Sequence, residues 1–239
     1  MRVVRGRAET PDADRKATAA MLSATAADGT ARVRVRAPHR QVAFGRRDAR
    51  EEGFSGARAA ALERGYETVE RSVGGRAVAY TGETLAFAVA VPLAEMREGL
   101  DERYATATET LLETLHGLGA DVTRGEPAAS FCPGDHSVRV ADGGKVAGLA
   151  QRVQKDAALV SGCLVVVESD KSAVADVLTP VYDALCVPFD PESVGSLAAA
   201  GGPSDPDRVA RALETAFAEG PWGDGTPTET IAVDVLPEK

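Results

Sequence analysis

The sequence predicts an α+β fold with a largely antiparallel, mixed sheet flanked by helices. Two observations carry this expectation. Apolar extended stretches come in tandem, as in "RAVAYTGETLAFAVAVP" and in "KVAGLAQRV" followed by "AALVSGCLVVVES", while helical patterns are segregated between and after them. A third observation bounds the size: 239 residues with 44% apolar content can bury a substantial core. We expect one domain over residues 1–239, with a helical C-terminal portion from about residue 171.

In chain order, "ARVRVRAPHRQVAFG" alternates apolar and charged residues, which reads as a half-exposed strand, a turn at Ala37-Pro38 and a second extended piece. Asp48 to Arg64 is Ala-rich, with Phe54, Ala57, Ala61 and Leu62 at helical spacing. The next two apolar strands join through Thr81-Gly82-Glu83, a hairpin signal, and Pro92 closes the second. From Ala94 to Leu118, Met96, Leu100, Tyr104, Leu111 and Leu115 share one face of a helix that Gly119 ends. "KVAGLAQRV" and "AALVSGCLVVVES" form another extended pair, the second apolar enough for a buried strand. Helices follow at Lys171 to Leu185 and at Asp205 to Ala218. The Gly/Pro-rich stretch between them and the tail after Gly220 read as the loosest parts.

Net charge of −9 argues against a general grip on nucleic acid or on anionic lipid, since both need a basic surface. Cys132, Cys163 and Cys186 fit neither a zinc site nor a disulfide framework, so reduced thiols and a cytoplasmic setting are expected, with no metal. The charged opening "MRVVRGRAETPDADRK" lacks the apolar core of a signal peptide. No later apolar run approaches membrane-spanning length.

Chemistry concentrates in two segments. "RSVGGRAVAY", Arg71 to Tyr80, places adjacent glycines between a helix and a strand, where main-chain N–H groups and an acyl chain can approach closely. The alternative reading is an ordinary turn. "SFCPGDHSVRVADGGKVAGLAQR" holds Cys132 in a Pro-Gly loop and Lys145 thirteen residues on. A lysine ammonium can stabilise a developing oxyanion and favour a neighbouring thiolate; by default it is a solvated amine. His136, four residues after the cysteine, is either a proton shuttle or an exposed loop histidine.

Taken in order, these segments resemble the biotin/lipoate protein ligase and octanoyltransferase superfamily. Its RRxSGGGAVxH pattern is similar to "ERSVGGRAVAY", Glu70 to Tyr80; its KxxGxAQxR pattern is similar to "KVAGLAQR", Lys145 to Arg152; and "SGCLVVV" stands for its apolar strand. "FCPGD" is similar to the Phe-Cys-Pro-Gly loop of the cysteine-dependent octanoyl transferases. Glu70, Val73, Arg76 and Tyr80 depart from the ligase pattern, and Ser137 stands where ligases place an Asp.

The resemblance implies that Cys132 takes an acyl group as a thioester and that Lys145 orients or polarises its carbonyl. Arg71, Ser72, Gly74, Gly75, Ala77, Tyr80, Gly148, Ala150 and Gln151 would line the acyl site. An acyl carrier would donate octanoate or lipoate. The acceptor would be the lysine of a lipoyl-domain protein, either a 2-oxoacid dehydrogenase E2 or the glycine cleavage H protein. This transferase needs no cofactor, whereas the alternative, a lipoate–protein ligase forming an acyl adenylate, would need ATP and magnesium. A third reading is a paralogue that binds lipoylated carriers without turnover.

Overall fold

The computed structural model describes residues 1–239 apart from 72, 73, 97, 224 and 237–239. Two sheets and five helices build it. In chain order the elements are β1 (Arg2–Arg5), α1 (Pro11–Asp28), β2 (Arg32–Arg36), β3 (Gln41–Phe44), α2 (Phe54–Glu63), β4 (Glu67–Glu70), β5 (Val78–Tyr80) and β6 (Leu85–Pro92). They continue with α3 (Leu100–Gly117), β7 (Val122–Arg124), β8 (Ser137–Val140), β9 (Lys145–Gln154), β10 (Ala157–Leu164), α4 (Glu168–Ala184), α5 (Pro206–Glu219) and β11 (Glu229–Ala232). The large sheet runs β11-β1-β2-β6-β10-β9-β8-β7, and the small one runs β4-β3-β5. Pairing is antiparallel except for β1 with β11, β1 with β2, and β3 with β4, so the expected mixed α+β architecture is present.

Alternation along β6 distributes the core. Phe87, Val89 and Val91 face α3 and α5, packing with Leu111, Leu115, Leu213 and Phe217. Ala88 and Ala90 face α1 through Met21 and Leu22. Ala86 instead joins the cluster in which α2 and α4 cover the small sheet. The space between α1, the small sheet and this face of the large sheet becomes the site.

Several sequence expectations are corrected. The alternation of Val and Arg in β2 does not mark a solvated face, because Arg32 and Arg34 are as buried as Val33. Helix α1 covers them, and Asp14 receives Arg34 Nη2 and, at 2.6 Å, Arg36 Nε. That helix was not expected, although Thr10 accepts from Ala13 N–H, Pro11 starts it and Gly29 closes it in the left-handed region. The 81–83 turn is no hairpin: β5 pairs with β3 and β6 with β10, so the chain there passes between sheets. Asp170 on α4 holds this crossing by accepting from the Thr81 and Thr84 hydroxyls.

Helix α3 starts at Leu100 rather than Ala94, leaving Met96 exposed ahead of it, because Gly99 at φ +69 is not helical. The Asp48–Arg64 helix is split into a 3-10 turn over Asp48–Arg50 and α2. The stretch after α4 is not loose: Val194 and Leu197 are buried, and Gly195 N–H and Leu197 N–H donate to Lys145 O and Val165 O. The tail returns as β11, paired along β1.

Candidate active site

A cavity of about 510 Å³ opens between α1, the small sheet and strands β6, β9 and β10. That lies within the range of small-ligand pockets. Its lining includes the largely apolar side chains of Val78, Tyr80, Phe87 and Leu159 together with Arg71, Gly75, Cys132 and His136. Burial raises the Tyr80 phenol, with the nearby Cys163 adding to the effect, so it stays neutral.

The Cys132 backbone has φ +44, a left-handed conformation that L side chains rarely adopt. Two groups hold it. Tyr182 of α4 accepts from Cys132 N–H at 2.5 Å and donates to Ala77 O at 3.0 Å, tying the thiol loop to the Gly-rich loop. Lys145, at the start of β9 and fully buried, donates to Cys132 O at 2.9 Å and Phe131 O at 3.0 Å. Its charge is met by Glu126, 3.0 Å away, which also accepts from the Ser130 hydroxyl. Lys145 therefore reaches two loop carbonyls and the Glu126 carboxylate, which together occupy its three N–H donors.

The cation at the sulfur is a different residue. Arg71 Nη2 lies 3.1 Å from Cys132 Sγ, and the backbone N–H of Arg76 lies 3.3 Å from it. Burial lowers Arg71, but its neighbours Cys132 and Tyr80 outweigh that and raise it, so the guanidinium stays charged. The same Nη2 also donates to Arg76 O. Gly75 makes this convergence sterically available, since a Cβ there would sit 2.5 Å from Sγ and 2.7 Å from Arg71 Nη2, at φ +97. Arg76, which replaces a glycine of the ligase pattern, turns outward to Asp48 at 3.3 Å and Glu51 at 2.7 Å. Burial pushes the Asp48 carboxyl up, against the pull of Gly45 N–H and Arg76.

Of the residues expected from the sequence, Cys132, Arg71, Gly74, Gly75, Tyr80, Gly148 and Ala150 line the cavity. Gly148 leaves room for the lysine, since a Cβ there would lie 3.0 Å from Lys145 Cε. Ser72 lies outside the described residues. Ala77 is buried behind the wall and contributes only its carbonyl. Gln151 points elsewhere, with Oε1 accepting from Arg103 and Nε2 donating to Leu100 O. His136 stacks on Tyr104 at 3.6 Å between ring centroids and lines the cavity. Sequence reasoning missed Tyr182 and Glu126. Tyr182 occupies one position of an amphipathic helix and carries no local signal, whereas Glu126 lies in the same inter-strand stretch as Cys132 and was open to the question of what neutralises a buried lysine.

Among the described residues, no group of three or more His, Cys, Asp or Glu side chains is placed to hold a metal ion. Among the described residues, no helix is long and apolar enough to cross a membrane.

Comparison with known proteins follows this geometry. An octanoyl-GcvH:protein N-octanoyltransferase of an Exiguobacterium species is 30% identical over 123 residues, covering 51% of this chain and 42% of that protein. The corresponding Geobacillus kaustophilus transferase is 30% identical over 90 residues, covering 38% and 31%. The matched stretch thus spans under half the length of these curated relatives. A crystal structure of lipoate-protein ligase A bound with ATP superposes with TM-score 0.76 at 20% identity, covering 96% of this chain and 88% of that one. A bipartite lipoate protein ligase from Thermoplasma acidophilum, described with its E2 lipoyl domain, gives 0.68 at 20% identity, covering 96% and 86%. At such identities the likeness is one of fold. Residues 18–218 match the family described as the lipoyl protein ligase A/B catalytic domain, and the chain belongs to that family.

Proposed function

We propose that the chain transfers an octanoyl or lipoyl group to the acceptor lysine of a lipoyl-domain protein through a thioester on Cys132. The observation that carries this reading is the sulfur at the cavity wall, with a buried guanidinium at 3.1 Å and a main-chain N–H at 3.3 Å. A cation and a donor fixed beside a thiol suit anionic sulfur, and an apolar chamber behind it suits an acyl tail. The names of the curated relatives support the same direction, since they describe an octanoyl group moved from GcvH to a protein.

In the first half-reaction the sulfur attacks the donor's acyl carbonyl and forms a C–S bond. The donor's C–S bond, or its C–N bond if the donor is an octanoyl-lysine, breaks, and the leaving atom takes a proton. In the second, the neutral acceptor amine attacks the acyl-cysteine and forms a C–N bond, the C–S bond breaks, and the proton shed by the nitrogen goes to the sulfur, re-forming the thiol. Lys145 acts by holding the loop, and Arg71 by facing the sulfur. His136, on the cavity wall, is the proton carrier at hand.

For the ligase alternative, ATP and magnesium would need carboxylates free at the cavity. Glu126 is committed to Lys145 and Ser130, and Asp48 and Glu51 to Arg76, leaving Asp135 as the one carboxylate on the described wall. Magnesium carried by nucleotide phosphates needs only one or two carboxylates, and Asp135 would supply one, so the thiol site is what favours the transfer reading. The test is intact-protein mass after incubation with an octanoylated carrier, and separately with ATP plus free lipoate. We expect an octanoyl adduct without ATP that Cys132→Ala abolishes; pyrophosphate release indifferent to Cys132 would overturn the reading.

A further inference from the structure

The chain carries a net charge of −9, yet the described wall of the cavity holds five arginines, Arg15, Arg36, Arg47, Arg71 and Arg152, against one carboxylate, Asp135. Arg15 and Arg36 are matched by Asp12 and Asp14. Besides Arg71 at the thiol and Arg152, the wall keeps Arg47, which belongs to the 45–50 turn, where "GRRDAR" places Arg46, Arg47 and Arg50. All three are exposed, and none makes a side-chain hydrogen bond or ion pair with another described residue. Asp48, the acid between them, is buried and turned to Gly45 N–H and Arg76. Glu51, which is paired with Arg76, and exposed Glu52 are the carboxylates that follow the turn in sequence.

The turn is fastened to the site. A Cβ on Gly45 would lie 2.0 Å from Gly75 O, and Gly75 in turn packs against Cys132 Sγ. A small hollow of about 170 Å³ is bordered by Arg46, Arg50, Glu70 and Arg71, while Arg47 of the same turn and Arg71 also line the thiol cavity.

We propose that this turn is the docking surface for the acidic face of the carrier protein whose acyl-bearing or acceptor lysine enters the cavity. The inference rests on the transfer reading and names the contact that delivers its substrate. Three exposed cations spread along one turn suit long-range steering of an oppositely charged protein, whereas a small anion would call for buried donors converging on one point. The chain's overall negative charge would otherwise repel an acidic partner, so a local inversion of sign at the cavity selects the orientation of approach.

The test compares the wild type with an Arg46→Glu, Arg50→Glu double variant. Two acyl donors are used: an octanoylated lipoyl-type domain with acidic surroundings, and the octanoyl thioester of N-acetylcysteamine. We expect kcat/KM for the protein donor to fall about tenfold or more at low salt, the loss shrinking as salt rises. Turnover of the small thioester should be unchanged, and a carrier with its carboxylates changed to amides should no longer distinguish the variants. An equal loss with both donors, or a salt-independent rate, overturns the docking surface. Preferential binding of a short DNA duplex over the carrier also overturns it. Association rates measured with Cys132→Ala protein read docking alone, so survival of turnover in that variant would refute the thioester without touching this inference.

Discussion

Cys132 is held at φ +44 by contacts that do not involve its sulfur, and this separates positioning from chemistry. Tyr182 supplies one contact on each side of the gap between the two site loops. Tyr182→Phe keeps the ring packing but leaves Cys132 N–H and Ala77 O without their partner, which should cost roughly 1–3 kcal/mol. We expect a lower unfolding temperature in calorimetry together with a changed rate of Cys132 alkylation. Unchanged alkylation would show that the phenol stabilises the fold without setting the thiol.

Lys145 allows a sharper distinction. Lys145→Met leaves the carbonyls of Phe131 and Cys132 and the Glu126 carboxylate unmatched, whereas Glu126→Gln keeps a hydrogen-bond acceptor and removes only the countercharge. If Lys145 works by bracing the loop, both substitutions lower thermal stability and acyl transfer in parallel. A Lys145→Met protein with wild-type stability and no turnover would return the ammonium to a direct role on the acyl carbonyl.

At the scale of elements, the Gly-rich loop and β9 meet the thiol loop through positions that tolerate no side chain. Gly75→Ala forces a Cβ to within 2.5 Å of Sγ at a φ of +97, so either the loop or the thiol must move. The expected outcome is loss of the octanoyl adduct in intact-mass analysis with the far-ultraviolet circular dichroism of the fold retained. Loss of both would place the strain in the core instead. The resemblance of "KVAGLAQR" to the family pattern is what marked Lys145, Gly148, Ala150 and Gln151 in the sequence. Residues 148 and 150 both reach the cavity, and Gln151, one step out of phase, faces Arg103. What remained hidden follows from long-range contacts. Nothing local to Thr81-Gly82-Glu83 says that β5 and β6 belong to different sheets, because that depends on Asp170, 86 residues from Thr84. Likewise the Arg residues of β2 look solvent-facing until a helix with a single buried Asp is laid over them.

Across the whole molecule, that helix couples stability to the site. Helix α1 contributes Arg15, Thr18 and Leu22 to the cavity wall, and it is fixed to the large sheet by Asp14, which neutralises both Arg34 and Arg36. Arg34 Nη1 also donates to the Thr18 hydroxyl and Nη2 to Gly6 O, so the loop before the helix and the helix itself depend on one buried guanidinium. Burial pulls Arg34 down to about 10, with Arg36 adding to the fall and Asp14 opposing it, and it remains charged at neutral pH. For Asp14 burial acts upward, but Arg36 and Arg34 prevail and hold its carboxyl below the ordinary range. A carboxylate depressed in the folded state contributes stability that is fully present above its unfolded value of about 3.9 and fades as pH falls through the folded value beneath. Asp14→Asn removes the countercharge from two arginines and should cost about 3–5 kcal/mol at neutral pH, since it leaves buried cations uncompensated. It should also flatten the acid limb of the stability profile below pH about 4. Because α1 forms one wall of the cavity, the same substitution should raise the hydrogen-exchange rate of β6 and β10 amides facing it and weaken octanoate retention. Exchange confined to residues 11–28, with those strands still protected, would show that the helix covers the chamber without holding it shut.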